Sequence, residues 1–164
     1  MWEGRFKSQA LLDEAALAAS MAYVDLNPIR AKIAKTPEES DHTSIQYRIN
    51  ATKAGKSPQF LIPFAGNNRE NMPHGLPFHF TDYLELVDFT GRAILPDKRG
   101  AIEGSTPIIL ERLNLKMAQW QKLTTEFEEC FHHAAGGESY LEAYRQRYKL
   151  KRLRDKNASI RLFG

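Results

Sequence analysis

The sequence predicts a mainly α-helical protein preceded by one short strand, and three observations carry that prediction. Apolar side chains recur at helical spacing over long stretches, most clearly at Trp120, Leu123, Phe127, Cys130 and Phe131. Clusters of proline and glycine punctuate those stretches where helices must stop. A period of two is clear only from Trp2 to Ser8, where Trp2, Gly4 and Phe6 alternate with Glu3, Arg5 and Lys7.

That strand needs neighbours to be stable. The other candidate, Gln59 to Phe64, contains Pro63 and follows Pro58, both poor in a central strand. The first strand is therefore expected to find no partner within the chain. Asp13 reads as the cap of a helix to about Leu26, rich in alanine and leucine. Asn27-Pro28 should interrupt it, and Pro28 can open a second short helix to about Ala34. Thr43 and Gln46 have the spacing of a capping box for a helix to about Ala54. Residues 55–79 have turn composition, with Pro58, Pro63, Pro73 and Pro77 among Gly55, Gly66 and Gly75. Thr81 caps the next expected helix, which stops near Gly91, and Thr106-Pro107 opens another to about Leu113. The longest element is expected from Lys116 to Ala134, stopped by Gly136-Gly137, and its aromatics are core residues. A last helix from Ser139 to about Arg154 aligns Leu141, Tyr144 and Tyr148 on one stripe.

At 164 residues, 42% hydrophobic and 26% charged, the chain has the composition of a globular protein with one ordinary core. The formal charge is +3, yet Glu138 to Gly164 holds eight basic residues against three acidic ones, so the positive charge is concentrated there. Such a segment suits an anionic partner, nucleic acid before membrane, because no amphipathic stretch has the broad apolar face that membrane insertion requires. A solvated helix is the bland alternative. Cys130 is the only cysteine, which excludes a disulfide framework or a cysteine zinc cluster and makes a reducing cytoplasm the expected location. The opening MWEGRFKSQ resembles neither a signal peptide nor a membrane anchor and reads as the middle of a protein.

Gly-rich phosphate loops, nucleophile-elbow serines and spaced Cys/His sets are absent from the sequence. The five histidines, His42, His74, His79, His132 and His133, form no His-x-His pair and read as surface or packing residues. Glu38-Glu39 and Glu128-Glu129 read as solvated charge. By residue type alone, Tyr23 is a packing tyrosine on an apolar helix.

The block WEGRFKSQALL followed by AYVDLNPIRA changes that reading. Arg5-Phe6 on a strand, then Tyr23 four residues before Asn27-Pro28, resembles the single-tyrosine transposases associated with bacterial repetitive extragenic palindromes. PEESDHTSI and DYLELVDFTGRAILPDKRGAI resemble the helical extension of the longer members. The resemblance implies that residues 1–40 are the last strand and tyrosine helix of an α+β ferredoxin-like catalytic domain. Residues 41–164 would then be a helical accessory region that binds DNA.

It further implies that Tyr23 is a nucleophile in transesterification of single-stranded hairpin DNA, forming a phosphotyrosine and freeing a 3′ hydroxyl. Mg or Mn assists in the complete family site, held by a His-hydrophobic-His pair with a third ligand at the position of Asn27. The spacing has a mechanical basis, because side chains at i and i+4 share one helix face. The histidine pair belongs to a strand before Arg5-Phe6 and is not in this sequence, so the chain alone is expected to hold no metal and to be inactive. Candidate DNA contacts are Arg5, Lys7 and Arg30, with Arg145, Arg147, Lys149, Lys151, Arg152 and Arg154 near the C-terminus. Two alternatives remain: a non-catalytic helical DNA-binding module in which Tyr140, Tyr144 and Tyr148 stack on bases, and a plain helical interaction protein.

Overall fold

The computed structural model describes residues 8–94 and 106–164. In chain order its elements are β1 (Ala10–Leu11), α1 (Glu14–Asp25), α2 (Asn27–Arg30), a 3-10 turn (Pro37–Glu39), α3 (Ser44–Lys53), α4 (Phe80–Ile94), α5 (Ile108–Arg112), α6 (Met117–Cys130), β2 (Ala134–Ala135), α7 (Glu138–Arg147) and α8 (Lys156–Phe163). The described chain is mainly helical, as its patterning predicts. Two compact units divide it, one of residues 1–20 with 114–164 and one of residues 21–113.

In the first unit, Asp13 caps α1 as expected, its Oδ1 accepting from the Ala16 N–H at 2.8 Å. Its second oxygen accepts from the Gly137 N–H at 2.6 Å. Gly136 lies beside it at φ 152°, where a Cβ would come 2.9 Å from the Leu12 Cβ, so glycine is required both by backbone and by space.

The strand expected at Trp2 to Ser8 falls largely on residues outside the described ones. A different, two-residue strand that the sequence reading did not anticipate, β1, pairs in parallel with β2, Ala10 opposite Ala134 and Leu11 opposite Ala135. The long helix expected to reach Ala134 therefore ends at Cys130, and Phe131 is extended. Buried Asp155 explains the change, because its carboxylate accepts from the N–H groups of His132, His133 and Ala134 at 3.1, 2.8 and 3.1 Å. Those donors would otherwise be lost when the helix stops.

Trp120, Leu123, Phe127, Phe131, Leu141 and Leu162 form this unit's buried core, and α8 packs on α6 and α7. The last helix was expected to run to Arg154. It stops at Arg147, and α8 follows as a separate element. Lys149 turns the chain at φ 51°, and the Leu150 N–H reaches back to the Arg145 carbonyl at 3.0 Å.

In the second unit, α3 is capped by Thr43, whose Oγ1 accepts from the Gln46 N–H at 3.3 Å. The reciprocal half of the expected capping box is not made: the Thr43 N–H donates to the Ser40 carbonyl at 3.3 Å, and the Gln46 side-chain NH2 donates to Asp41 Oδ1 and the Glu38 carbonyl. The segment from Gln59 to Phe64 contributes one isolated bridge, Phe64 to Leu76. Helix α2 ends at Arg30 rather than Ala34, α5 carries Pro107 at its cap without a side-chain bond, and α4 begins at Phe80, one residue ahead of the expected Thr81 cap.

Gly91 does not stop α4, which runs on to Ile94. Its role is close packing. A Cβ there would sit 3.1 Å from Ile29 Cδ1 and 3.4 Å from Leu26 Cδ2, so the missing side chain admits the kinked end of the α1–α2 segment against α4. Leu26, Ile29, Tyr83, Leu86 and Val87 are all buried around this approach. Gly91→Val should accordingly cost about 1–3 kcal/mol of stability through overpacking, read as a lowered urea midpoint with an unchanged m-value.

Candidate nucleic-acid interface

Tyr23 sits three residues before the leucine at which α1 gives way to α2, and its neighbours follow from that kink. Leu26 has φ −88° and ψ −2°, Pro28 occupies the first turn of α2, and Arg30 thereby folds back along the same helical face. One Arg30 nitrogen donates to the Tyr23 backbone carbonyl at 2.6 Å. The other donates to Asn27 Oδ1 at 3.2 Å. The guanidinium carbon lies 4.0 Å from the centroid of the Tyr23 ring, a cation–π distance. Tyr23, Asn27 and Arg30, spaced i, i+4 and i+7, thus form one partly exposed cluster.

The residues here do not fit a divalent cation at Asn27. Its amide oxygen already accepts from a guanidinium, whose charge repels a metal ion. Among the described residues, no group of three or more His, Cys, Asp or Glu side chains is placed to hold one. The nearest carboxylate along the helix, Asp25, is turned inward and engaged elsewhere.

Asp25 is the residue that sequence inspection overlooks. It is 1% exposed, and its carboxylate accepts from Ser44 Oγ at 2.8 Å, the Ile45 N–H at 3.2 Å and the Tyr83 hydroxyl at 2.8 Å. It therefore caps α3 from α1 and ties both to α4, fixing the end of the helix that carries Tyr23. Burial raises the Asp25 carboxyl above its ordinary value, against the opposing pull of the Tyr83, Ser44 and Ile45 hydrogen bonds and of Arg48. Burial and the adjacent carboxylate push the Tyr83 phenol well above its ordinary range. A charged residue in the apolar run AYVDL was the available signal.

The basic segment is not one helix. Arg145 and Arg147 end α7, Lys149, Lys151, Arg152 and Arg154 lie on the connection, and Lys156 begins α8. Arg145 is tied to Glu142 by two hydrogen bonds, which with the Gln146 amide hold that carboxyl down at about 2. Lys156 pairs with Glu138 at 3.2 Å. Arg147, Lys149, Lys151, Arg152 and Arg154 are exposed, with no acidic side chain in ion-pair range among the described residues.

Tyr140 and Tyr148 are each more than half exposed, the Tyr144 and Tyr148 rings lie 4.7 Å apart, and Arg147 lies 5.8 Å from the Tyr148 ring. Arg5 and Lys7 lie outside the described residues. His132 and His133 are exposed, with Nδ1 atoms 3.5 and 3.8 Å from the Asp155 carboxylate. No described helix is long and apolar enough to cross a membrane.

No family model, curated protein or solved structure matches the chain.

The direction of the Asp25 shift sets a pH dependence. A carboxyl whose folded pKa is raised binds its proton more readily in the folded state, so its contribution is fully present below the unfolded value and is lost as pH rises through the folded one. The parent should lose stability relative to Asp25→Asn as pH rises from about 4 toward neutrality. Urea midpoints of the two proteins across that range read the difference; parallel curves would mean that Asp25 titrates normally.

Proposed function

We propose that this chain is a partial transposase of the single-tyrosine type that binds single-stranded hairpin DNA and does not cleave it alone. The observation that carries the proposal is the convergence of Tyr23, Asn27 and Arg30 on one partly exposed face. In this reading residues 1–40 correspond to the last strand and tyrosine helix of a ferredoxin-like catalytic domain, and residues 41–164 to a helical accessory region. Tyr23 is the nucleophile of the complete family site. Arg30 orients its ring and offers positive charge to a phosphate beside it. Mg or Mn belongs to that complete site, where the histidine pair would hold it. A DNA partner and a solitary cysteine are consistent with a cytoplasmic location.

A non-catalytic DNA-binding module is the second reading, supported by the tyrosines on α7 and at its end. Tyr140 and Tyr144 lie on α7, Tyr148 caps its end, and the Tyr144 and Tyr148 rings pack on each other. The exposed Tyr140 and Tyr148 rings offer faces on which bases of a single strand can stack.

Both readings require salt-sensitive binding. A labelled hairpin single strand should bind with a log–log salt slope of about −3.5 or steeper, as five uncompensated cations imply. Replacing Arg147, Lys149, Lys151 and Arg152 with glutamate should abolish binding. Affinity that is flat with salt, or indifferent to the replacement, would favour the solvated-helix reading. With Mg or Mn present the chain alone should leave the strand intact. A covalent adduct that forms in the parent and vanishes in Tyr23→Phe would overturn that expectation while supporting Tyr23 as nucleophile.

A further inference from the structure

The connection after α3 ends in a feature that neither packing nor the Tyr23 cluster explains. Phe60 is fully exposed, and its backbone stands at φ 66°, a conformation that costs an aromatic residue strain and that glycine or asparagine adopts freely. The turn is not loose. Arg48, itself buried, donates to the Ile62 carbonyl at 2.8 Å and lies over the Phe64 ring at 4.7 Å, anchoring the segment just behind Phe60. Phe64 in turn bridges to Leu76 and packs on Tyr83 at 5.5 Å. A rigid base therefore holds a single aromatic side chain out into solvent. Lys53 and Lys56, both exposed, lie just before it in the chain, and Arg69 just after.

We propose that Phe60 is a wedge that inserts between neighbouring bases of DNA, with the flanking lysines on the phosphates. The proposal rests on the DNA reading above and adds a second, separate contact to it. Apolar side chains inserted at a base step unstack it and kink the duplex, and one ring on a rigid turn is sufficient. The exposed Lys53 and Lys56, within seven residues of Phe60 in the chain, supply attraction to the phosphate backbone. A lipid surface is the other anionic partner, but it needs a broad apolar face. Here Leu61 is half-buried, and the exposed apolar surface at the tip is confined to Phe60, Ile62 and Pro63.

The test uses a DNA hairpin with 2-aminopurine at a stem step, whose fluorescence rises when the base is unstacked. The parent should raise it, and Phe60→Trp should do the same. Phe60→Gly suits the left-handed backbone, so it should fold at least as well as the parent, bind the hairpin severalfold more weakly and lose the fluorescence rise. An equal rise with Phe60→Gly overturns the wedge. Binding by the parent with no rise overturns the wedge and leaves the DNA reading standing, whereas no binding by the parent removes both. Vesicles of phosphatidylglycerol and phosphatidylcholine form the last arm: Phe60-dependent binding to them, with no change in the hairpin signal, assigns the ring to a membrane and overturns the proposal.

Discussion

The carboxylate of Asp25 holds together elements that are far apart in sequence. It lies at the last residue of α1, accepts from the first turn of α3, and receives the Tyr83 hydroxyl from α4. A buried charge is costly unless its lone pairs are used, and here three donors use them. Any movement of α1 relative to α3 or α4 would strand that carboxylate. The orientation of Tyr23, two residues earlier on the same helix, is therefore set by a polar constraint in the interior as well as by apolar packing. Arg48 adds a second buried charge to the same unit; desolvation lowers its pKa and the nearby Asp25 charge opposes that shift.

Local chemistry was legible where one short stretch contained all of it. The Asp13 cap, the alanine-rich helix and its break at Asn27-Pro28 each depend on residues within a few positions, and each is found where expected. The approach of Arg30 to Tyr23 and Asn27 also follows from spacing on one helical face, once the kink is known. Gly91 shows the limit of such signals. Its composition reads as a stop, while its function is to leave room for Ile29, more than sixty positions away.

What was not legible depends on distant partners. Tyr83 lies 58 residues from Asp25, and no periodicity links them. β2 is two alanines, good helix formers that continue the pattern of α6, and the Asp155 carboxylate together with pairing to β1 holds them as a strand. The break between α7 and α8 carries neither glycine nor proline, because Lys149 itself takes the left-handed conformation. The charges counted there as one helical cluster are consequently spread over a helix end, a connection and a helix start. The flat composition of that stretch hides which cations are neutralised: Arg145 and Lys156 are, and the five between them are not.

The parallel pairing of Ala10 with Ala134 also bears on the order of assembly. The unit of residues 21–113 is continuous in the chain and is complete on the ribosome before β2 has been made. The other unit has to wait, holding β1 without its partner until more than a hundred further residues have been synthesised. Closing so long a loop carries an entropic cost that helix formation within either segment does not. Until then Ala10 and Leu11 expose backbone groups that another chain can capture, so crowding during synthesis is the time at which this protein is most open to pairing with the wrong strand.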